Sequence, residues 1–275
     1  MPHCRRGAGR RIGMDRSRTS LMVEGRKVPL CLFRPAAIRS TEDGPLPGLL
    51  YFHGGGFTSG SVEEVEITAM ALAESIPALV VAVGYALAPA HPFPAAIEDA
   101  HAAAVWLAER AGPLGVAGHD AGGHVAVSLT LLARDRGGPE IAAQALFGPM
   151  LDPSLTRVAH GVGDGEGSVT DCARCYRAYL PEAALRLHPY AAPLESRRLG
   201  RLPPILIATA QNDVLRPEAE SYAARLIDAG VPTEVTRFAG VSHAGLANHP
   251  PALAAAADFF RRRLTGAHPD TSSHR

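Results

Sequence analysis

Short apolar, often β-branched runs alternate along the chain with longer Ala- and Leu-rich segments. Residues 47–52 read as a strand running into glycines. Residues 78–83 are continuously apolar, as expected for a strand buried on both faces. Residues 114–117, 143–147, 205–210 and 233–238 add four further strands. The intervening periodicity predicts helices over 63–76, 94–111, 122–134, 217–229 and 251–264, with Trp106 and Leu107 on the apolar side of the second. Strand–helix alternation of this kind predicts an α/β fold, a mostly parallel central sheet with helices on both faces. Residues 153–200 break the alternation. They hold a glycine-rich stretch (Gly161, Gly163, Gly165, Gly167) and then an aromatic helical piece around Tyr176 and Tyr179. An insertion on the ligand side of such a sheet is expected to form a lid.

Composition narrows the function. The 275 residues carry 27 basic and 27 acidic side chains, a net charge of zero, which argues against broad electrostatic binding to nucleic acid or an anionic membrane. Six arginines fall within residues 1–18, which read as a frayed, disordered basic tail ahead of one domain over 19–275. No apolar run reaches the roughly 20 residues of a membrane span, and the N-terminus lacks the apolar core of a secretory signal. A cytoplasmic location is therefore expected. Cys172 and Cys175 form a C-x-x-C, but Cys4 and Cys31 lie far away, so two structural cysteines one helical turn apart are expected. The spacing of His53, His119, Asp120 and His124 matches no common zinc pattern.

Candidate chemistry lies in the turns. His53-Gly54-Gly55-Gly56-Phe57 follows a strand directly, and glycines there let backbone N–H groups converge on one spot, an oxyanion hole. Gly118-His119-Asp120-Ala121-Gly122-Gly123 joins a strand to a helix. Glycines two positions either side of Asp120 permit a tight elbow that displays its side chain at a helix N-terminus. The Ala121 N–H is expected to complete the hole with Gly54 and Gly55. Asp213 and His243 each follow a strand, at the carboxyl end where ligands bind in open α/β sheets, in the chain order acid then histidine.

These motifs, with Gly84 to Asp99 (GYALAPAHPFPAAIED) and Asp213-Val214-Leu215-Arg216, resemble the hormone-sensitive-lipase-like branch of the α/β-hydrolases over roughly residues 30–265. The resemblance implies an α/β-hydrolase fold and no cofactor. It also implies a carboxylesterase-type site, with His53 to Gly56 as oxyanion signature, Asp213 as acid and His243 as base. The chain departs from the family at its centre. Asp120 stands where the family has a serine nucleophile, His119 where an acid is usual and His124 where asparagine is usual. Gly84, Ala86 and Ala90 replace an acid, an arginine and an acid.

The Gly118–Gly123 elbow is instead similar to that of α/β-hydrolase epoxide hydrolases and fluoroacetate dehalogenases, whose aspartate attacks carbon. That similarity implies Asp120 as nucleophile, an alkyl ester on it, and water activated by His243, oriented by Asp213. In those enzymes lid tyrosines protonate the leaving oxygen, which makes Tyr176, Tyr179 and Tyr190 the candidates here. Dehalogenases hold halide with a tryptophan near the nucleophile. Ala121 follows Asp120 and the single Trp106 reads as packing, so an epoxide ranks above a halide. Three alternatives stand beside this expectation: a non-hydrolytic isomerase, cyclase or lyase with Asp120 as general base, a carboxylesterase-like enzyme, and a pseudoenzyme. The expected partners are a small-molecule substrate and, as a homodimer, a second copy of the chain.

Overall fold

A computed structural model describes residues 13–36, 45–159 and 168–265. Among the described residues eight strands form one sheet in the order β1-β2-β4-β3-β5-β6-β7-β8. The strands are β1 (Met14–Val23), β2 (Arg26–Pro35), β3 (Gly48–Phe52), β4 (Leu79–Val83), β5 (Leu114–His119), β6 (Ile141–Phe147), β7 (Ile205–Asn212) and β8 (Thr233–Ser242). β2 pairs antiparallel with β1 and β4, and all other neighbours are parallel. The expected α/β architecture is what folds. β3 and β4 are buried along their whole length, which is why they read as unbroken apolar runs.

Helices cover both faces. α1 (Glu66–Ser75) and α7 (Pro250–Leu264) bury Leu72, Phe259 and Phe260 on one side. α2 (Ala95–Ala108), α3 (Ala121–Arg136) and α5 (Arg216–Asp228) bury Leu107, Val125 and Tyr222 on the other. α4 (Val169–Tyr179) follows β6, and α6 (His243–Leu246) is a single turn after β8. Trp106 packs partly buried against the core under the Arg110 guanidinium, 4.5 Å from its ring. Among the described residues no helix is long and apolar enough to cross a membrane.

The N-terminal expectation needs correction. Residues 14–18, assigned above to a frayed tail, begin β1. Arg18 pairs with Glu63 at 3.0 Å and with Glu66 at 3.1 Å, and Arg16 also reaches Glu66. β1 is an edge strand with mostly exposed positions, so polar pairing rather than burial marks it. Residues 1–12 and the four glycines between 161 and 167 lie outside the described residues. The excursion between β6 and β7 carries α4 across the carboxyl ends of the central strands, where it walls the cavity described next.

Candidate active site

The elbow is a strained turn held by glycine. Asp120 takes φ 55°, ψ −121°, a conformation that costs a non-glycine residue of order 1–3 kcal/mol. Its neighbours leave no room for a side chain. A Cβ on Gly122 would lie 2.2 Å from the Phe52 carbonyl oxygen, and one on Gly118 would lie 2.3 Å from the Gly122 backbone. β5 therefore passes into α3 with almost no gap, and the Asp120 side chain stands at the start of the helix. Its backbone is tied down as well: Asp120 N donates to Phe147 O, and Asp120 O accepts from Met150 N.

The glycine loop after β3 wraps this side chain. Gly55 and Gly56 adopt φ 108° and 57°, which turns both N–H groups inward. They donate to Asp120 Oδ2 at 2.9 and 2.8 Å. The oxyanion cradle is thus occupied by the protein's own carboxylate. The three donors expected from the sequence were Gly54, Gly55 and Ala121. In the structure Gly55 is one donor, Gly56 replaces Gly54, and no bond from Ala121 to the carboxylate is present. The positive φ at both Gly55 and Gly56 is the cause of the shift. Tyr85 buttresses the loop, its ring stacked 4.2 Å from His53 and its hydroxyl donating to His53 O at 2.7 Å.

The structure places Asp213 and His243 beside Asp120. His243 Nδ1 lies 2.8 Å from Asp213 Oδ2, while Asp213 Oδ1 accepts from Leu215 N at 2.9 Å. His243 Nε2 faces Asp120 Oδ1 at 3.6 Å, an ion-pair distance too long for a hydrogen bond. Burial works to lower the His243 pKa, but the carboxylates of Asp120 and Asp213 outweigh it and raise it to about 10. The two carboxylates thus favour the imidazolium form of the ring. Burial alone would raise Asp120. The facing His243 and the cradle N–H of Gly56 reverse this and hold it well below the usual carboxylate range.

His119 packs its ring 4.7 Å from that of His243, with Nε2 at 3.1 Å from His243 O. His124 is fully buried between the carbonyls of Met150 and Tyr190. Neither histidine is turned toward a common centre with His53. Burial lowers both His119 and His124 to about 4. An unfolded chain takes up these protons near pH 6.5, so this stability is complete above that value and lost as pH falls toward 4. Each contributes about 2–3 kcal/mol to the loss. Urea titration is expected to show a large drop in midpoint between pH 7 and 4.5, and an unchanged midpoint would contradict it.

Asp120 and His243 open on a cavity of about 460 Å³, while Asp213 is buried behind the histidine. Met150, Leu215 and Ala244 line it, with Cys172 and Cys175 of α4 opposite. Asp171 and Arg174 pair at its rim at 2.8 Å. The two cysteines are free thiols, and their place in the cavity wall was not expected.

The tyrosines expected to act as acids do not reach this cavity. Tyr176 and Tyr179 are buried with unpartnered hydroxyls, and Tyr179 stacks on Phe57 at 3.9 Å. The Tyr190 hydroxyl donates to Asp135 at 3.0 Å, away from the site. Aromatic packing beneath α4 takes these rings, which corrects their proposed role. Tyr176→Phe and Tyr179→Phe are expected to leave turnover within about twofold of the parent and stability unchanged or higher, because each removes a buried hydroxyl without a partner. Loss of activity in a folded variant would reinstate that residue as the acid.

A family model described as an alpha/beta hydrolase fold matches residues 49–247. Esterase LipI of Mycobacterium tuberculosis is 39% identical over 228 residues, spanning 79% of this chain and 71% of that protein. Carboxylesterase NlhH of the same organism is 35% identical over 250 residues, 86% of this chain and 76% of that protein. A hyperthermophilic esterase from the archaeon Pyrobaculum calidifontis superposes with a TM-score of 0.80 at 32% identity, covering 90% of this chain and 83% of that one. Motifs, sheet topology and these similarities agree: the chain belongs to the α/β-hydrolase family.

Proposed function

We propose that the protein is an esterase-type hydrolase of small molecules in which the Asp120 carboxylate does the work of the family's hydroxyl. The observation that carries this is the placement of its two oxygens. Oδ2 is held by the N–H groups of Gly55 and Gly56, while Oδ1 faces His243 and the cavity. A carboxylate so held is suited to attack an electrophilic alkyl carbon, an epoxide above all, through Oδ1. The product is an alkyl ester of Asp120. Water attack on its Cγ places negative charge on Oδ2, already between two donors. The esterase apparatus is then applied to an ester that the enzyme makes itself. The Asp120 and His243 charges and the apolar wall of Met150, Leu215 and Ala244 favour an uncharged substrate.

A second reading, direct hydrolysis of a carboxylic ester substrate, is favoured by the relatives. LipI, NlhH and the Pyrobaculum protein are named as esterases, and those names speak for ester over epoxide as substrate class. In this reading Asp120 activates water and the His243 imidazolium protonates the leaving alkoxide. Parallel assays with styrene oxide and 4-nitrophenyl acetate separate the two. Diol formation with little ester turnover is expected. Rapid ester turnover without diol would support the second reading, and neither product would overturn both.

A further inference from the structure

Resting on the reading of Asp120 as nucleophile, we propose that His243 is also the acid of the first step. The site is then built for carbon electrophiles with a basic leaving oxygen, epoxides and other strained cyclic ethers, rather than for halides. Three observations support this. Nδ1 of His243 is committed to Asp213, but Nε2 faces Asp120 Oδ1 at 3.6 Å, beyond hydrogen-bond distance, so its proton is uncommitted beside the reacting oxygen. The tyrosines of α4 are packed away from the cavity. The other acids within reach are weaker: burial raises the thiols of both Cys172 and Cys175 above their ordinary value.

The groups facing His243 favour its cation. Asp120 approaches from the start of α3, Asp213 from the end of β7 and the neutral His119 from the end of β5. Across the cavity α4 presents Asp171 paired with Arg174, and the two thiols. The nearest formal charges are two carboxylates. A halide leaving group would instead need fixed donors, and the single tryptophan, Trp106, lies on α2 outside the cavity lining.

The protons balance over both steps. An Oδ1 electron pair forms the bond to carbon, the carbon–oxygen bond of the ring breaks, and the departing oxygen takes the Nε2 proton. This leaves the Asp120 ester, a hydroxyl and a neutral His243, which is now a base. Water attacks Cγ and gives its proton to Nε2, while Oδ2 carries the negative charge in the cradle. Collapse expels the alkyl oxygen, which takes the proton of the new hydroxyl on Cγ. The carboxylate and the imidazolium are restored.

The test compares two leaving groups. His243→Gln is exposed to styrene oxide and to benzyl bromide, whose bromide departs without a proton, and the adduct is located by peptide mass spectrometry. The bromide is expected to accumulate an ester on Asp120, with the epoxide at least about 100-fold slower. Equal accumulation from both would overturn the acid role while leaving Asp120 as nucleophile. No adduct from either would remove the nucleophile reading itself. In the wild type, single-turnover ester formation from the epoxide is expected to fall as pH rises through about 10, while that from the bromide does not. Parallel profiles would overturn the proposal even if the variant fails to fold.

Discussion

Asp120→Asn is expected to lower turnover by about 10⁴-fold, roughly 5 kcal/mol of transition-state stabilisation, with the fold retained. The amide oxygen can still accept from Gly55 and Gly56, so the loop and the elbow keep their contacts. What it cannot do is attack carbon or pair with the His243 cation. Asp120→Ser makes the opposite demonstration. The shorter side chain vacates the cradle and leaves a hydroxyl beside His243, whose ring is already oriented by Asp213 at 2.8 Å. The His243 pKa falls once one of its two carboxylates is gone, so the ring becomes a base at neutral pH. This variant is expected to lose epoxide opening and to hydrolyse 4-nitrophenyl acetate faster than the parent. If Asp120→Asn retains more than a tenth of the parent's turnover, Asp120 is not the reacting group.

The second large effect concerns stability. Gly122→Ala is expected to cost more than about 4 kcal/mol, or to prevent folding, because its Cβ would meet the carbonyl oxygens of Phe52 and His53 at 2.2 and 2.4 Å. Both contacts are backbone, on the strand end that carries the oxyanion loop, so neither can turn aside. Gly137→Ala is the control. Gly137 ends α3 at φ 78° with open space around it, and the backbone strain alone is expected to cost about 1 kcal/mol. Denaturant midpoints of the two variants test the difference, and similar midpoints would contradict this account of the elbow.

Burial decides which elements the sequence makes legible. β3 to β7 carry apolar runs because the parallel strands sit beneath helices; they and the edge strand β8, which has no fully buried position, were visible at nearly their observed positions. β1 and β2 carried no such signal. The edge strand β1 is mostly exposed, and the prolines at 29 and 35 interrupt the pattern of β2. The candidate site residues were legible for a different reason. Glycine spacing around Asp120 and the strand ends before Asp213 and His243 allow few other geometries.

The cradle was legible only as a glycine run, since the aim of each N–H depends on backbone angles that glycine leaves open. The tyrosines illustrate a signal misweighed. Cys172, Tyr176 and Tyr179 follow i, i+4, i+7 spacing, a buried helical stripe, and all three are buried. That periodicity points to packing rather than to proton donation. The protonation of His243 had no signature in the chain, because it arises from two carboxylates brought together by different strands.

The central claim is that the water oxygen enters through Asp120. A single turnover of styrene oxide in ¹⁸O-labelled water, followed by mass spectrometry of the peptide holding Asp120 and of the diol, tests it directly. The label is expected in the Asp120 carboxylate, with the new hydroxyl of the diol unlabelled. A labelled diol released from an unlabelled Asp120 would contradict it.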